Sequence, residues 1–320
     1  MVGASAGGVE ALKSIAAGLP ESLPAAVFCT VHVAPTGPRL LPSILDFPGG
    51  MPTKYGRDGE EIVRGRMYLA PPDHHLLLRR GSVQVTRGPR ENRHRPAVDP
   101  LFRSAAVAYG PRVIGVVLTG NLDDGTRGLS AVKRCGGLAV VQDPDDALYP
   151  SMPSSALRNT PVDHIATLAD LPALLRRLVC EPPAPPASPP SRVEVEAGMS
   201  ERETDESALL DRVGHRSALT CPECHGALWE LEDGNLLNFR CHVGHAFSSN
   251  ALLMDHSKEL EASLWAAVRG FEESATIADR IAERRAEDSV GDEFVARARA
   301  AREHAQRLRE LIDQLPVTAE

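Results

Sequence analysis

A doubly wound α/β domain on a parallel sheet, followed by a small zinc ribbon and an α-helical hairpin, is the architecture this 320-residue sequence predicts. Three observations predict it. Short β-branched runs alternate with helical patterns through the first 180 residues, the arrangement that lays crossover helices over parallel strands. Cysteine and histidine cluster between residues 221 and 245, around one hairpin pattern. Apolar residues then recur at steps of three and four along two stretches that end near Leu315, which is the helical period.

The elements follow in order. Gly3-Ala4-Ser5-Ala6-Gly7-Gly8 reads as a strand-to-helix turn, and Val9, Leu12, Ile15 and Ala16 share one face of the helix after it. Residues 25–33 (AAVFCTVHV) form a buried strand and 39–46 a helix. MYLAPP and the pair HLLLRR / SVQVTR, split at Gly81, read as a strand and an inserted hairpin. Strands at 113–120 and 138–142 bracket a helix at 128–135. Six prolines then fall between Pro182 and Pro190, which no helix or central strand tolerates. The acidic stretch after them is too poor in apolar residues to offset its ordering entropy, so 181–217 reads as a linker. Domains are expected at 1–180 (the α/β domain), 218–250 (ribbon) and 251–316 (hairpin). The hairpin joins a face of Leu260, Leu264, Val268, Phe271, Ala275, Ala278 and Ile281 to one of Phe294, Ala298, Ala301, Ala305, Leu308, Ile312 and Leu315, with a break at 288–292. On this reading the ribbon hangs on a tether, and removing its metal leaves the α/β domain untouched.

Composition narrows the class. With 42% hydrophobic and 24% charged residues, the chain is neither fibrous nor wholly disordered. Its longest apolar runs, 25–33 and 113–118, fall far short of the roughly 18 residues that span a bilayer, so no membrane span is expected. No basic region followed by an apolar run opens the sequence, and the cytoplasm is the expected compartment. Disulfides are rare there. Cys29, Cys135 and Cys180 accordingly read as buried, inert thiols, whereas Cys221, Cys224 and Cys241 read as metal ligands. Residues 1–180 carry a net +4 and 181–320 a net −12. An acidic C-terminal half without an aromatic-basic patch argues against nucleic acid as a partner.

The turn at Ser5 carries G-x-S-x-G, in which the helix behind a serine supplies free N–H groups for a developing oxyanion. A phosphate-cradling glycine loop is the alternative. A serine nucleophile needs a base, and His32 closes a strand; His74, His75 and His94 end no such strand. The third member should be a carboxylate at another strand end, where Asp123 and Asp124 both stand. In the ribbon, Cys221-Pro-Glu-Cys224 and Cys241-His-Val-Gly-His245 flank a hairpin turning at Asp233-Gly234. Thiolates with one imidazole suit tetrahedral zinc. C-x-x-x-H folds back more readily than adjacent residues, so His245 is preferred over His242 as fourth ligand, with His225 behind both. A closed ligand set makes the metal structural.

GASAGGVEAL, HVAP, YLAPPDHHL, NRHRPAVDPLF and VLTGNLDDGTRGL, in that order over about residues 1–178, resemble the catalytic domain of the CheB protein-glutamate methylesterases of bacterial chemotaxis. The resemblance implies Ser5 as nucleophile, His32 as base and Asp124, not Asp123, as the orienting carboxylate. It further implies backbone N–H donors at Ala6 and Asn121 for the oxyanion. The implied reaction hydrolyses γ-glutamyl methyl esters on the cytoplasmic helices of chemoreceptors, with glutamine deamidation as a second activity and no cofactor for catalysis. Seven arginines, Arg79, Arg80, Arg87, Arg90, Arg93, Arg95 and Arg103, offer either a field that steers an acidic receptor helix or a merely solvated surface. The family's usual receiver domain does not precede Ser5 in this sequence, and the first strand is expected to extend upstream of it. Alanine stands at position 6, where the family often has threonine. Two rival readings are an esterase or amidase on another substrate and a non-catalytic signalling scaffold.

Overall fold

The computed structural model describes residues 1–185, 188–201, 207–233, 236–285 and 289–315. Residues 1–252 form one compact unit and the remainder a second.

The first unit begins with β1 (Val2–Ala4), α1 (Gly8–Gly18), β2 (Val27–Val31), α2 (Leu41–Leu45), β3 (Thr53–Tyr55) and β4 (Met67–Leu69). After β4 come a hairpin of β5 (His75–Arg79) and β6 (Ser82–Thr86), then α3 (Val98–Tyr109), β7 (Ile114–Val117), α4 (Thr126–Arg134) and β8 (Leu138–Gln142). The α/β part closes with α5 (Ser151–Asn159), β9 (His164–Ala166) and α6 (Leu171–Cys180). Seven strands pair in the order β3-β4-β2-β1-β7-β8-β9, every pair parallel. Because both faces are covered, the central strands are apolar throughout rather than alternating: all five residues of β2 are buried. Leu12, Ile15, Leu171 and Leu175 cover one face; Leu101, Phe102, Leu129 and Val132 cover the other. The chain leaves β1 for β2 on one side and places β7 on the other. The crevice beyond the C-terminal ends of β1 and β7 is therefore the topological switch point, where doubly wound sheets bind ligands.

The linker reading is corrected. Residues 191–201 form α7 (Ser191–Glu201), and α8 (Ser207–Val213) follows; Pro186, Ala187 and residues 202–206 lie outside the described residues. Val193 joins the sheet's core, and Met199 and Leu210 are buried with Trp229 and Leu231. One acid of this stretch is buried and neutralised: Glu196 accepts from Arg127 Nε at 3.0 Å. Ser200 joins a buried cluster around Glu91. The ribbon is four antiparallel strands, β10 (His215–Thr220), β11 (Ala227–Asp233), β12 (Leu236–Cys241) and β13 (Ala246–Ser248). Its hairpin closes on the pair Asp233 and Leu236, with Gly234 of the expected turn outside the described residues. It belongs to the same compact unit as the sheet, so the tethered arrangement does not hold.

The helices are α9 (Ser249–Arg284) and α10 (Ser289–Asp313). Ala275, Ala278, Ala298 and Ala301 form their seam with Phe271 and Phe294. Arg302 pairs with Asp279 and Arg309 with Glu272, so one register advances as the other retreats and the pair is antiparallel. The break falls earlier than 288–292: Asp292 stands in the first turn of α10, and Asp288 lies outside the described residues. Cys29 and Cys135 are buried as expected, and burial pushes the Cys29 thiol up to about 12. Cys180 is exposed instead, at the last turn of α6. Among the described residues no helix is long and apolar enough to cross a membrane.

Candidate active site and metal centre

Three strand ends converge at the switch point. Ser5 follows β1 and is held by its N–H to Thr119 O at 3.0 Å. Gly7, two residues on, has φ 73°, a left-handed value that glycine adopts without strain, and this turns the chain into α1. Gly120 lies so close that a Cβ there would stand 2.7 Å from Ser5 Cβ and 2.1 Å from Met152 Sδ. His32 follows β2, its N–H donating to Ala4 O at 3.3 Å. Asp124 lies in the turn between β7 and α4.

Their side chains connect. His32 Nδ1 is 2.9 Å from Ser5 Oγ and His32 Nε2 is 2.8 Å from Asp124 Oδ2. A carboxylate only accepts, so Nε2–H donates to Asp124 and Nδ1 is left with the lone pair that faces the serine hydroxyl. Asp124 is almost wholly buried, yet both of its oxygens are satisfied. Oδ2 accepts from Val98 N–H at 2.7 Å and Oδ1 from Asn92 Nδ2 at 3.0 Å, Gly125 N–H at 2.9 Å and Asp99 N–H at 3.2 Å. Val98 and Asp99 open α3, whose free N–H groups and dipole favour an anion. Burial alone would raise the pKa of Asp124; the hydrogen bond and charge of His32, with the donors from Val98 and Asn92, hold it well below the usual carboxylate range. Neighbouring Asp99 moves upward, through burial and then repulsion from Asp124.

The remaining candidates sort plainly. Asp123 does not reach His32; its carboxylate accepts from Ser248 Oγ at 2.6 Å and Asn250 Nδ2 at 3.0 Å. His75 is buried between Pro89 O and Ala97 N–H, and His74 bonds Pro72 O. His94 is the surprise, stacked on His32 with ring centroids 3.6 Å apart and planes 13° from parallel. Burial and then the adjacent His32 push its pKa down to about 3. Ala6 follows the nucleophile on the loop after β1, and Asn121 lies on the loop after β7. The arginines divide: Arg103 is buried on Glu91, Arg95 and Arg87 share Asp73, and Arg79 and Arg80 are exposed. Seven arginines therefore do not make one steering surface. Sequence reasoning missed Asn92 and the α3 N-terminus as partners of Asp124; an asparagine two residues before a histidine carries no signal of either.

In the ribbon, Cys221, Cys224, Cys241 and His245 bring their ligand atoms within 4.8 Å of one another. His242 stands apart, beside Gly226. Cys224 Sγ to Cys241 Sγ is 3.6 Å, and His245 Nδ1 lies 3.5 Å from Cys241 Sγ and 3.8 Å from Cys221 Sγ. Ligands about 2.3 Å (sulfur) and 2.0 Å (nitrogen) from one tetrahedral centre would be separated by roughly 3.5–3.8 Å, so these four can hold a metal ion. Behind them His245 Nε2 faces Glu223 Oε2 at 3.7 Å, the carboxylate support that ligating imidazoles usually have.

A family model described as CheB methylesterase matches residues 1–175. A Leptospira interrogans protein named "Putative protein-glutamate methylesterase/protein-glutamine glutaminase" is 37% identical over 179 residues, covering 56% of this chain and 93% of that protein. One from Anaeromyxobacter dehalogenans, named "Protein-glutamate methylesterase/protein-glutamine glutaminase 5", is 40% identical, over 56% of this chain and 50% of its own length. Among solved structures, the Thermotoga maritima CheB methylesterase catalytic domain matches at 33% identity with a TM-score of 0.53, covering 56% of this chain and 96% of that one.

Proposed function

Because the chain belongs to the CheB methylesterase family, we propose that it is a serine hydrolase that removes methyl esters from glutamyl residues of chemoreceptors, with glutamine deamidation as a second activity. The single observation that carries this reading is the Ser5–His32–Asp124 chain of contacts at 2.9 and 2.8 Å. Ser5 Oγ attacks the ester carbonyl as its proton passes to His32 Nδ1. Backbone N–H groups of Ala6 and Asn121 receive the oxyanion. When the tetrahedral intermediate collapses, the C–O bond to methanol breaks and the His32 proton goes to the departing methoxide. Water, deprotonated by the same nitrogen, then hydrolyses the acyl-enzyme and returns Ser5. Asp124 holds the imidazole in the tautomer this requires.

In this reading residues 1–180 carry the chemistry, 218–250 hold a structural zinc ion and 251–316 form the helical hairpin, with 181–217 between catalytic part and ribbon. Zinc suits three thiolates and one imidazole, and a closed set leaves no position for substrate. Reduced thiols and a receptor's cytoplasmic helices as partner both suit the cytoplasm.

The test is methanol release from a methylated receptor fragment, run beside fluorophosphonate labelling of Ser5. Labelling with release is expected. Labelling with turnover of small esters but not of the fragment would point to another substrate, and absence of both would make the chain a scaffold.

A further inference from the structure

The loop that supplies Asn92 to the catalytic carboxylate is also part of the ribbon's sheet. Asn92 N–H donates to Ala246 O at 2.7 Å, and Ala246 N–H donates to Arg90 O at 3.2 Å, so the loop meets β13 through one parallel bridge, Glu91 to Ala246. The side chain of Asn92 then faces both ways. Its Oδ1 accepts from Ser248 N–H at 2.9 Å, while its Nδ2 donates to Asp124 Oδ1 at 3.0 Å and Asp99 Oδ2 at 2.9 Å. Asn92 and Arg93 both hold positive φ, 48° and 72°, conformations that persist in non-glycine residues only where the surroundings enforce them.

Two further ties fasten the same loop, and a third fastens the turn that carries Asp124. Glu91, buried beneath it, accepts from Arg103 at 2.5 Å and Ser200 at 2.8 Å, and from Arg240 of β12 at 3.3 Å. Arg90 reaches Glu223, the carboxylate behind the ligand His245, at 3.4 Å. Asp123, next to Asp124 in sequence, is held by Ser248 and Asn250. The ligand His245 is bonded directly to Ala246, whose carbonyl holds the Asn92 backbone. The path from ion site to nucleophile is His245, Ala246, Asn92, Asp124, His32, Ser5.

We infer that the ribbon is a working part of the hydrolase: it positions Asn92, which positions Asp124, so that filling the Cys221/Cys224/Cys241/His245 site sets the rate of ester hydrolysis. Asn92 touches no substrate and acts through Asp124, so it is a positioning residue. The inference rests on the serine-hydrolase reading above. A merely structural ribbon would contribute stability without entering the rate; a positioning ribbon is felt in kcat. Without metal each knuckle keeps its backbone turn but the four ligands are no longer joined to one another, β13 loosens, and Asn92 loses its partner at Ser248.

The experiment is a cycle on the full chain. Wild type and Asn92→Ala are each assayed zinc-loaded, chelator-stripped and reloaded, with p-nitrophenyl acetate as probe. Stripping wild type is expected to lower kcat about 10- to 100-fold with little change in KM, the usual effect of losing an outer-shell partner, and reloading restores it. Asn92→Ala, loaded, should lose a similar factor, and stripping it should then add less than about 3-fold, because both changes break the same link. A readout independent of turnover is the downfield proton resonance of the His32–Asp124 hydrogen bond, expected sharp in loaded wild type and broadened in the stripped protein and in Asn92→Ala. Unchanged kcat and an unchanged resonance in stripped wild type would overturn the inference, as would losses that multiply independently. Loaded wild type that is neither labelled at Ser5 nor active would remove the hydrolase reading and this inference with it; labelled, active protein indifferent to stripping removes the inference alone.

Discussion

The parallel sheet and the seam between sheet and ribbon are held by different mixtures of interaction. Val2, Leu12, Val116, Val140 and Leu171 belong to an apolar core. At the seam, apolar contacts of Met199 and Leu210 with Trp229 and Leu231 are joined by buried ions: Glu91 with Arg103 and Arg240, and Glu196 with Arg127. Apolar burial contributes roughly 25 cal/mol per Å² whatever the orientation, so it holds layers together without saying where they sit. A buried ion cluster gains little net stability, yet tolerates no missing partner. The sheet therefore supplies stability, and the seam fixes the position of the ribbon.

The largest expected effect separates chemistry from both regions. Ser5→Ala should lower methyl ester hydrolysis by roughly four orders of magnitude, and His32→Ala or Asp124→Asn similarly, with the double variants no worse than the worst single one. Thermal unfolding should stay within a few degrees of wild type, and a large shift would mean that the site also carries fold stability. Next comes the contrast of the two regions. Glu91→Gln removes the buried carboxylate that Arg103 and Arg240 share and should cost about 3–5 kcal/mol. Leu12→Ala, at a fully buried core position, should cost about 2–5 kcal/mol through its cavity.

The two costs of similar size part company with pH. Burial would raise Glu91, but Arg103 and Arg240 hold it at about 2, below its unfolded value near 4.5. Its stabilising contribution is therefore complete above pH 4.5 and lost as pH falls toward 2. Urea unfolding at pH 7 and at pH 3 should show the Glu91→Gln penalty shrinking and the Leu12→Ala penalty unchanged. Equal penalties at both would mean that the seam is not electrostatic. The smallest effect is at the surface: Arg79→Ala with Arg80→Ala should leave stability within about 0.5 kcal/mol, while flattening the salt dependence of kcat/KM on a receptor fragment. Unchanged salt dependence would assign both arginines to solvation.

The central strands were legible because β-branched runs such as VFCTV announce strands buried on both faces. The edge strands β3 and β9 were not: TKY and HIA are three residues each, too few for a period. Ser5 and His32 were legible as residues at the ends of such runs, whereas the choice between Asp123 and Asp124 came only through the family resemblance. The helix α7 was hidden because its apolar positions, Val193, Ala197 and Met199, are few and its acids look like those of a solvated tether. Arg127, the partner of its buried Glu196, lies 69 residues away, and no local pattern reports a distant counter-charge. Asn92 was overlooked for the same reason, since one of its partners lies 156 residues downstream.

That separation bears on how the chain comes into being. Ser5, His32 and Asp124 all leave the ribosome before any of the ribbon is made, and at about 5–20 residues per second the 124 residues from Gly125 to Ser248 take roughly 6 to 25 s more. During that interval the nascent chain holds every group the chemistry uses but lacks the strand that pins Asn92. The last part of the first compact unit to be synthesised thus closes around the first, and an mRNA truncated before codon 248 encodes a complete set of reacting groups without the segment that braces them.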